Sequence, residues 1–236
     1  MIDAAPDWQE SLQRAYGALD GAYRAFLQTG EYIPAKERVF AAFKTLPRSR
    51  MRYILFGQDP YPRPESATGH AFIDGAVERL FGEKGLSARV NRATSLRNFI
   101  KMALVAEGLL TCDDLSQEAI AALDKRALID SIDDLRQNFE RHGVLLLNAA
   151  LVFEEKSASN RHAKAWRPFL RALLSELPTE VELILFGAIA RRILDLPEAA
   201  RFRHHLLEHP YNHTFVCNVT AHALFGPMHL LRKHKG

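Results

Sequence analysis

Cysteine is scarce in this 236-residue chain. Cys112 and Cys217 are the only two, they sit in unrelated contexts, and nothing in the sequence suggests a disulfide scaffold. Two thiols cannot build a four-cysteine zinc or iron–sulfur centre, and the histidines show no ligand-like spacing, so neither a metal nor a cofactor is expected. No apolar run reaches 18 residues, so no transmembrane helix and no membrane partner are expected. The first residues are acidic and polar, unlike a secretory signal, and a cytoplasmic monomer is expected. No internal repeat or low-complexity tract is visible. Glycine-rich phosphate loops are missing after every apolar run, which argues against a generic nucleotide-binding domain. Net charge is also small: 31 Lys and Arg against 28 Asp and Glu, a formal +3, gives no general reason to expect a polyanion partner.

What is present is a large apolar fraction, 47% of the residues, enough for one sizeable core. Residues 1–50 read as N-terminal helices: Trp8, Leu12, Ala15, Leu19, Tyr23 and Phe26 predict one helix over 7–28, and a second near 35–46 ends at Pro47. Three continuous apolar runs predict buried strands: Tyr53–Phe56 before Gly57, Val144–Leu147 before Asn148, and Val181–Phe186 before Gly187. His204–Glu208 is a weaker fourth. Helical patterns lie between them, at 95–107, 131–142, 165–176 and 188–194, with a last one near 219–233. Alternating strands and helices predict a single α/β domain over 1–236, three-layer α/β/α around a central four-stranded parallel sheet. Nine acids within 107–140 read as a solvated helical insertion.

Ligands of open parallel sheets sit at the carboxyl ends of the strands. The residues that follow these runs are Gly57-Gln58-Asp59-Pro60-Tyr61-Pro62, Asn148, and His209-Pro210. A carboxylate, an amide, an imidazole and an aromatic would then meet at one edge. Singly, each has an ordinary reading as a turn or packing residue. Together they predict a site.

Gly57-Gln58-Asp59-Pro60-Tyr61 resembles the water-activating motif of the family-1 uracil-DNA glycosylases. Pro64, Ala67, Gly69, Ala71 and Phe72 continue the similarity without a gap. Ser95-Leu96-x-Asn98, Gly143 to Asn148, and Asn160-x-His162 with Trp166 resemble further segments, so the likeness spans roughly 50–232. It implies excision of uracil from DNA in base-excision repair, by a hydrolase with uracil-containing DNA as partner. Asp59 would stabilise the sugar cation and position water. His209 would donate to the uracil oxygen, helped by backbone N–H groups around Gln58. Asn148 would read the N3–H and O4 edge, Phe72 would stack on the flipped base, and Tyr61 would exclude thymine's methyl group. Pro62, Ser95, His162, Tyr211, Asn212, His213 and Phe215 would face DNA. A DNA-mimicking inhibitor protein is a further partner that the resemblance implies.

Two departures stand out. Pro62 replaces the histidine that normally follows the tyrosine. The last motif, His-Pro-Ser-Pro-Leu-Ser in the family, is here His209-Pro210-Tyr211-Asn212-His213-Thr214. The leucine wedge therefore falls on His213, with Phe215 as the alternative. A rival alignment uses His222, ahead of Phe225-Gly226, as the electrophilic histidine; His209 is preferred because it directly follows the fourth strand, and Asn218 then caps the helix that carries His222. The altered motif also leaves open an alternative: uracil-DNA binding with little turnover. Finally, Arg201, Arg203, Arg232, Lys233 and Lys235 against Glu208 give the last 36 residues a net +4, which predicts that DNA phosphates pass there.

Overall fold

The computed structural model describes residues 2–234. In chain order it begins with α1 (Gln9–Gly17), α2 (Gly21–Thr29), α3 (Ala41–Thr45) and strand β1 (Tyr53–Gly57). Next come the short strands β2 (Phe81–Gly82) and β3 (Gly85–Leu86), then α4 (Ala88–Arg92), α5 (Thr94–Ala106), α6 (Gln117–Ala121) and α7 (Ile132–Arg141). The chain closes with β4 (Val144–Asn148), α8 (Ser159–Glu176), β5 (Glu182–Phe186), α9 (Ile189–Leu194), β6 (Arg203–Leu207) and α10 (Val219–Phe225). The fold is α/β, with a central sheet of order β4-β1-β5-β6 in which β1 pairs in parallel with β4 and with β5.

The backbone groups into two compact units. The first comprises residues up to 74 with 143–206, and the second comprises 75–142 with 207 onward.

The first unit holds the sheet. Ile54, Leu55 and Phe56 of β1, all of β4, and Leu183 to Phe186 of β5 are buried, as continuous apolar runs in a two-sided parallel sheet require. The single helix expected over 7–28 is in fact two. Asp20 breaks it by accepting hydrogen bonds from the backbone N–H groups of Ala22 and Tyr23, which starts α2 afresh. Trp8 is fully buried against Phe43 and donates to the Leu46 carbonyl at 2.8 Å.

The second unit packs α5 against the segment after β6. Phe99 stacks on Phe215 and meets Phe225 edge-on, with ring centroids 6.2 and 5.0 Å apart. Two expectations are corrected here. Cys112 and Cys217 form a disulfide, Cα to Cα 5.9 Å, because folding carries the 107–140 segment to the end of the turn that precedes α10. That segment is also more than a solvated insertion: Ile120, Leu128, Leu135 and Phe139 are core, and Ser131 forms a capping box with Asp134 at the start of α7. The last helix is shorter than expected, ending at Phe225 and followed by a single 3-10 turn at Gly226–Met228.

Candidate functional site

The motif after β1 is built by main chain. Gly57 stands opposite Asn148 in the β1–β4 register. The ladder then runs on past the strands, as Ala149 N–H donates to Gly57 O at 2.9 Å and Ala150 N–H to Gln58 O at 3.1 Å. A Cβ at position 57 would lie 2.2 Å from Asn148 Oδ1 and 2.9 Å from Ala71 Cβ, so any residue larger than glycine there must displace the Asn148 amide. Asn148 is 5% exposed, so its amide is held in place rather than swinging in solvent.

Asp59 is half-buried. Its Oδ2 accepts from Gln58 Nε2 at 2.9 Å, while Oδ1 is enclosed and has no protein donor. An enclosed carboxylate oxygen without a donor is costly unless it has a further task. Ala71 N–H donates to Leu146 O at 3.0 Å, which folds the 67–72 segment back onto β4. Phe72 then takes a left-handed backbone, φ 69°, and turns its ring toward Phe186 at the end of β5, 6.4 Å between centroids. A phenylalanine in that region costs about 1–2 kcal/mol, the kind of outlier that concentrates at functional positions. Tyr61 donates to the Phe72 carbonyl at 3.4 Å, and burial, with the charge of Asp74, pushes its phenol up so that it stays protonated. One sheet edge of this unit therefore gathers Gln58, Asp59, Tyr61, Phe72 and Asn148. Pro62 is exposed beside them.

His162 is placed differently from expectation. Its side chain is completely buried on α8, with Nδ1 2.6 Å from the Tyr23 hydroxyl and Nε2 2.8 Å from Glu154. Burial, aided by Arg161, lowers its pKa against the opposing pull of Asp59. Tyr23 is pushed up by burial, so it keeps its proton and donates. A neutral ring carrying its proton on Nε2 satisfies both partners. Such a residue cannot face DNA.

In the second unit the loop after β6 is held by side chains. Asn98, buried on α5, reaches the carbonyls of Pro210, Tyr211 and Asn212 at 2.8, 3.3 and 3.3 Å. The motif match names Asn98 but not this role; an amide set among the apolar residues Leu96, Phe99, Ile100 and Met102 of one helix was the available signal. Glu208 closes the loop by accepting from Thr214 Oγ1 and from Asn218 Nδ2. Burial pushes its carboxyl up, but the hydrogen bonds from Thr214, Asn218 and Asn212 outweigh this and leave it lowered.

Tyr211 N–H donates to His209 Nδ1 at 3.0 Å. A backbone N–H can only donate, so Nδ1 is an acceptor and the neutral ring carries its proton on Nε2. Burial lowers this pKa below the ordinary 6.5, which favours the neutral form. Tyr211, Asn212 and His213 are exposed, Tyr211 at 67%. Phe215 is 0% exposed and packed on Phe99, so it is core and not a wedge. His222 is tied to the Val216 carbonyl at 2.7 Å on a helix that Asn218 caps. Ser95 lies half-buried in the first turn of α5.

The basic C-terminal stretch is corrected too. Arg232 and His229 pair with Glu107, whose side chain is 5% exposed, and Lys233 pairs with Asp130. The acids of 107–140 thus neutralise those cations locally. Lys235 lies outside the described residues. Among the described residues no group of acids, histidines and cysteines is arranged to hold a metal, and no helix is long and apolar enough to cross a membrane.

Comparison with known proteins agrees on one family. The model of the uracil DNA glycosylase superfamily matches residues 43–235. A uracil-DNA glycosylase from Lactococcus lactis subsp. cremoris is 32% identical over 189 residues, 78% of this chain and 71% of that protein. One from Streptococcus mutans is 30% identical over 186 residues, 77% of this chain and 69% of that protein. Among solved structures, the wild-type UNG of Nitratifractor salsuginis superposes with TM-score 0.96 at 54% identity, covering 99% of this chain and 94% of that one.

Proposed function

The chain belongs to the uracil-DNA glycosylase superfamily, and from that premise we propose how it removes uracil from DNA: by hydrolysing the N-glycosidic bond and leaving an abasic site. Excision in DNA repair follows from the family, which favours turnover over uracil binding alone. The roles of individual residues are our reading. The observation that carries it is the Gly57–Asn148 pairing, which sets a rigid base-reading amide beside the loop that bears Asp59.

Bond breaking leaves positive charge on the sugar and negative charge on the departing base. Asp59 stabilises the first and orients the attacking water, through the oxygen that lacks a protein donor. His209 donates Nε2–H to the uracil oxygen; a neutral imidazole with Nδ1 already engaged is suited to this. The Asn148 amide reads the pyrimidine edge, the Phe72 ring stacks on the base, and Tyr61 stands against C5. Backbone N–H groups around Gln58 support the same oxygen. Pro62, Ser95, Tyr211 and Asn212 contact the DNA backbone, and His213 occupies the place of the extruded base. No cofactor is needed for any of these steps.

Incubation with a uracil-containing oligonucleotide, followed by alkali cleavage of abasic sites, tests the reading. Wild-type scission that Asp59→Asn abolishes is expected; equal activity in both proteins sinks the assignment of Asp59. A DNA-mimicking inhibitor protein is a second proposed partner, engaging Tyr211–His213, and its addition to the same assay tests that. The same reading has the chain working as a monomer in the cytoplasm.

A further inference from the structure

Arg203, Arg232 and Lys233, near the C-terminus, are paired with Glu182, Glu107 and Asp130. A different set is not. Lys164 and Arg167 on α8 and Arg192 on α9 line a cavity of about 410 Å³, together with Asn160 and Ala149. Lys164 and Arg167 continue into an adjoining groove of about 470 Å³ that also contains Arg171. All of these residues lie in the first unit. Among the described residues, none of Lys164, Arg167 and Arg192 has a carboxylate within 4.0 Å, although Arg167 is near enough to help lower the Glu198 pKa. Glu198, which lines the outer groove, is held by Arg171 at 2.9 Å.

The geometry is that of a site prepared for anions. Arg192 donates one nitrogen, Nη2, to Asn160 Oδ1 at 3.1 Å, while its Nη1 is enclosed without any protein acceptor. Arg167 is steadied by the Asp195 carbonyl at 3.1 Å. Spacings of three and seven residues put Lys164, Arg167 and Arg171 on one helix face. At 1.5 Å rise per residue that row is about 10 Å long, comparable with about three nucleotides of a DNA strand at 3.4 Å each. The inner cavity carries Lys164, Arg167 and Arg192 and no acid, and such a concave basic surface focuses the field on an incoming polyanion; Glu198 lies only on the outer groove. Ala149, the residue after Asn148, is part of the inner cavity's lining.

We propose that this α8–α9 groove binds the phosphate backbone of the DNA strand, outside the residues that read and release the base. The proposal rests on the reading that DNA is the substrate. Its test uses labelled oligonucleotides without uracil, so binding is measured without turnover, by anisotropy between 50 and 200 mM salt.

Lys164→Glu, at an exposed position, should weaken binding severalfold and lower the salt slope by about one or more; Lys164→Ala with Arg167→Ala should lower it by about two. Lys233→Ala, which removes a paired cation, should leave the slope unchanged. Wild-type affinity and slope in both groove variants, with unchanged melting temperatures, overturn the proposal. So does a deoxymononucleotide that binds as tightly as the oligonucleotide, because the groove would then be a nucleotide pocket. Absence of uracil release by the wild-type protein would instead count against the functional reading, and leaves the binding result to be judged separately.

Discussion

The edge of the first unit and the loop of the second are made by different means. At the strand edge, backbone hydrogen bonds from Ala149 and Ala150 hold Gly57 and Gln58, and a side chain at 57 would push against Asn148. In the loop after β6, side chains do the holding: Asn98, Glu208, Asn218 and the Cys112–Cys217 bridge. A main-chain ladder tolerates few sequences at its closest approaches. A loop clamped by side chains can change its exposed residues while the clamps remain. Most of the departures from the family pattern fall there, at Tyr211, Asn212 and His213, all exposed, of which Asn212 alone also bonds to Glu208; the strand-edge loop departs at Pro62.

Two substitutions strike the two regions hardest. Asp59→Asn keeps the shape of the strand-edge loop and removes its charge; uracil release should fall by about 10²–10⁴-fold, with little change in melting temperature. Loss below tenfold would mean that the carboxylate is not the group that meets the sugar cation. Cys217→Ser acts on the other region in the opposite way. It cuts a link spanning 105 residues and should cost about 2–4 kcal/mol of stability, read by urea denaturation. Thiol titration of the native protein checks the premise: two free thiols would remove it.

Much of the strand edge was legible because its causes are local. Continuous apolar runs give β1, β4 and β5, and the residues that stop them, Gly57, Asn148 and Gly187, sit at the strand ends. What stayed hidden was non-local or masked by a stronger pattern. The apolar stripe from Trp8 to Phe26 concealed the break that Asp20 makes by capping α2. The disulfide, and the pairing of Arg232 with Glu107 and Lys233 with Asp130, join positions about a hundred residues apart, which no spacing rule reaches. His162 and Phe215 were assigned to DNA by resemblance alone; burial, which an aligned motif does not carry, puts them in the core.

Gentler changes sharpen the contrast between ladder and clamp. Gly57→Ala forces the Asn148 amide to move, and a displacement of about 1 Å should cost roughly a hundredfold in uracil release. The loss should be similar on single- and double-stranded substrates, because base reading is common to both. Asn98→Ala frees three carbonyls of the loop and should cost about 1–3 kcal/mol of stability. Its effect on activity should be larger on duplex DNA, where the base must be extruded, than on single strands. Equal losses on both substrates would show that the loop does not serve extrusion.

The smallest effect is one of pH, and its sign follows from the loop's geometry. Burial holds the His209 pKa below its ordinary value of 6.5. Above that value folded and unfolded rings are both neutral, and the fold is at its most stable with respect to this group. As pH falls below 6.5 the unfolded ring takes up a proton first, so stability declines until the folded pKa is passed and then levels off. His162, also lowered, adds to the same decline, so stability alone cannot separate the two. Activity can. Protonation of His209 would put a proton on Nδ1, against the Tyr211 N–H that now donates to it, and would disturb the loop at the electrophile itself. The kcat/KM profile should therefore show an acid limb with its midpoint below 6.5, amounting to severalfold at most between pH 7.5 and 6. His209→Gln, less active throughout, should lose that limb. A limb above 6.5, or one that survives the substitution, would assign the titration to another group and remove the neutral imidazole from the chemistry proposed for this loop.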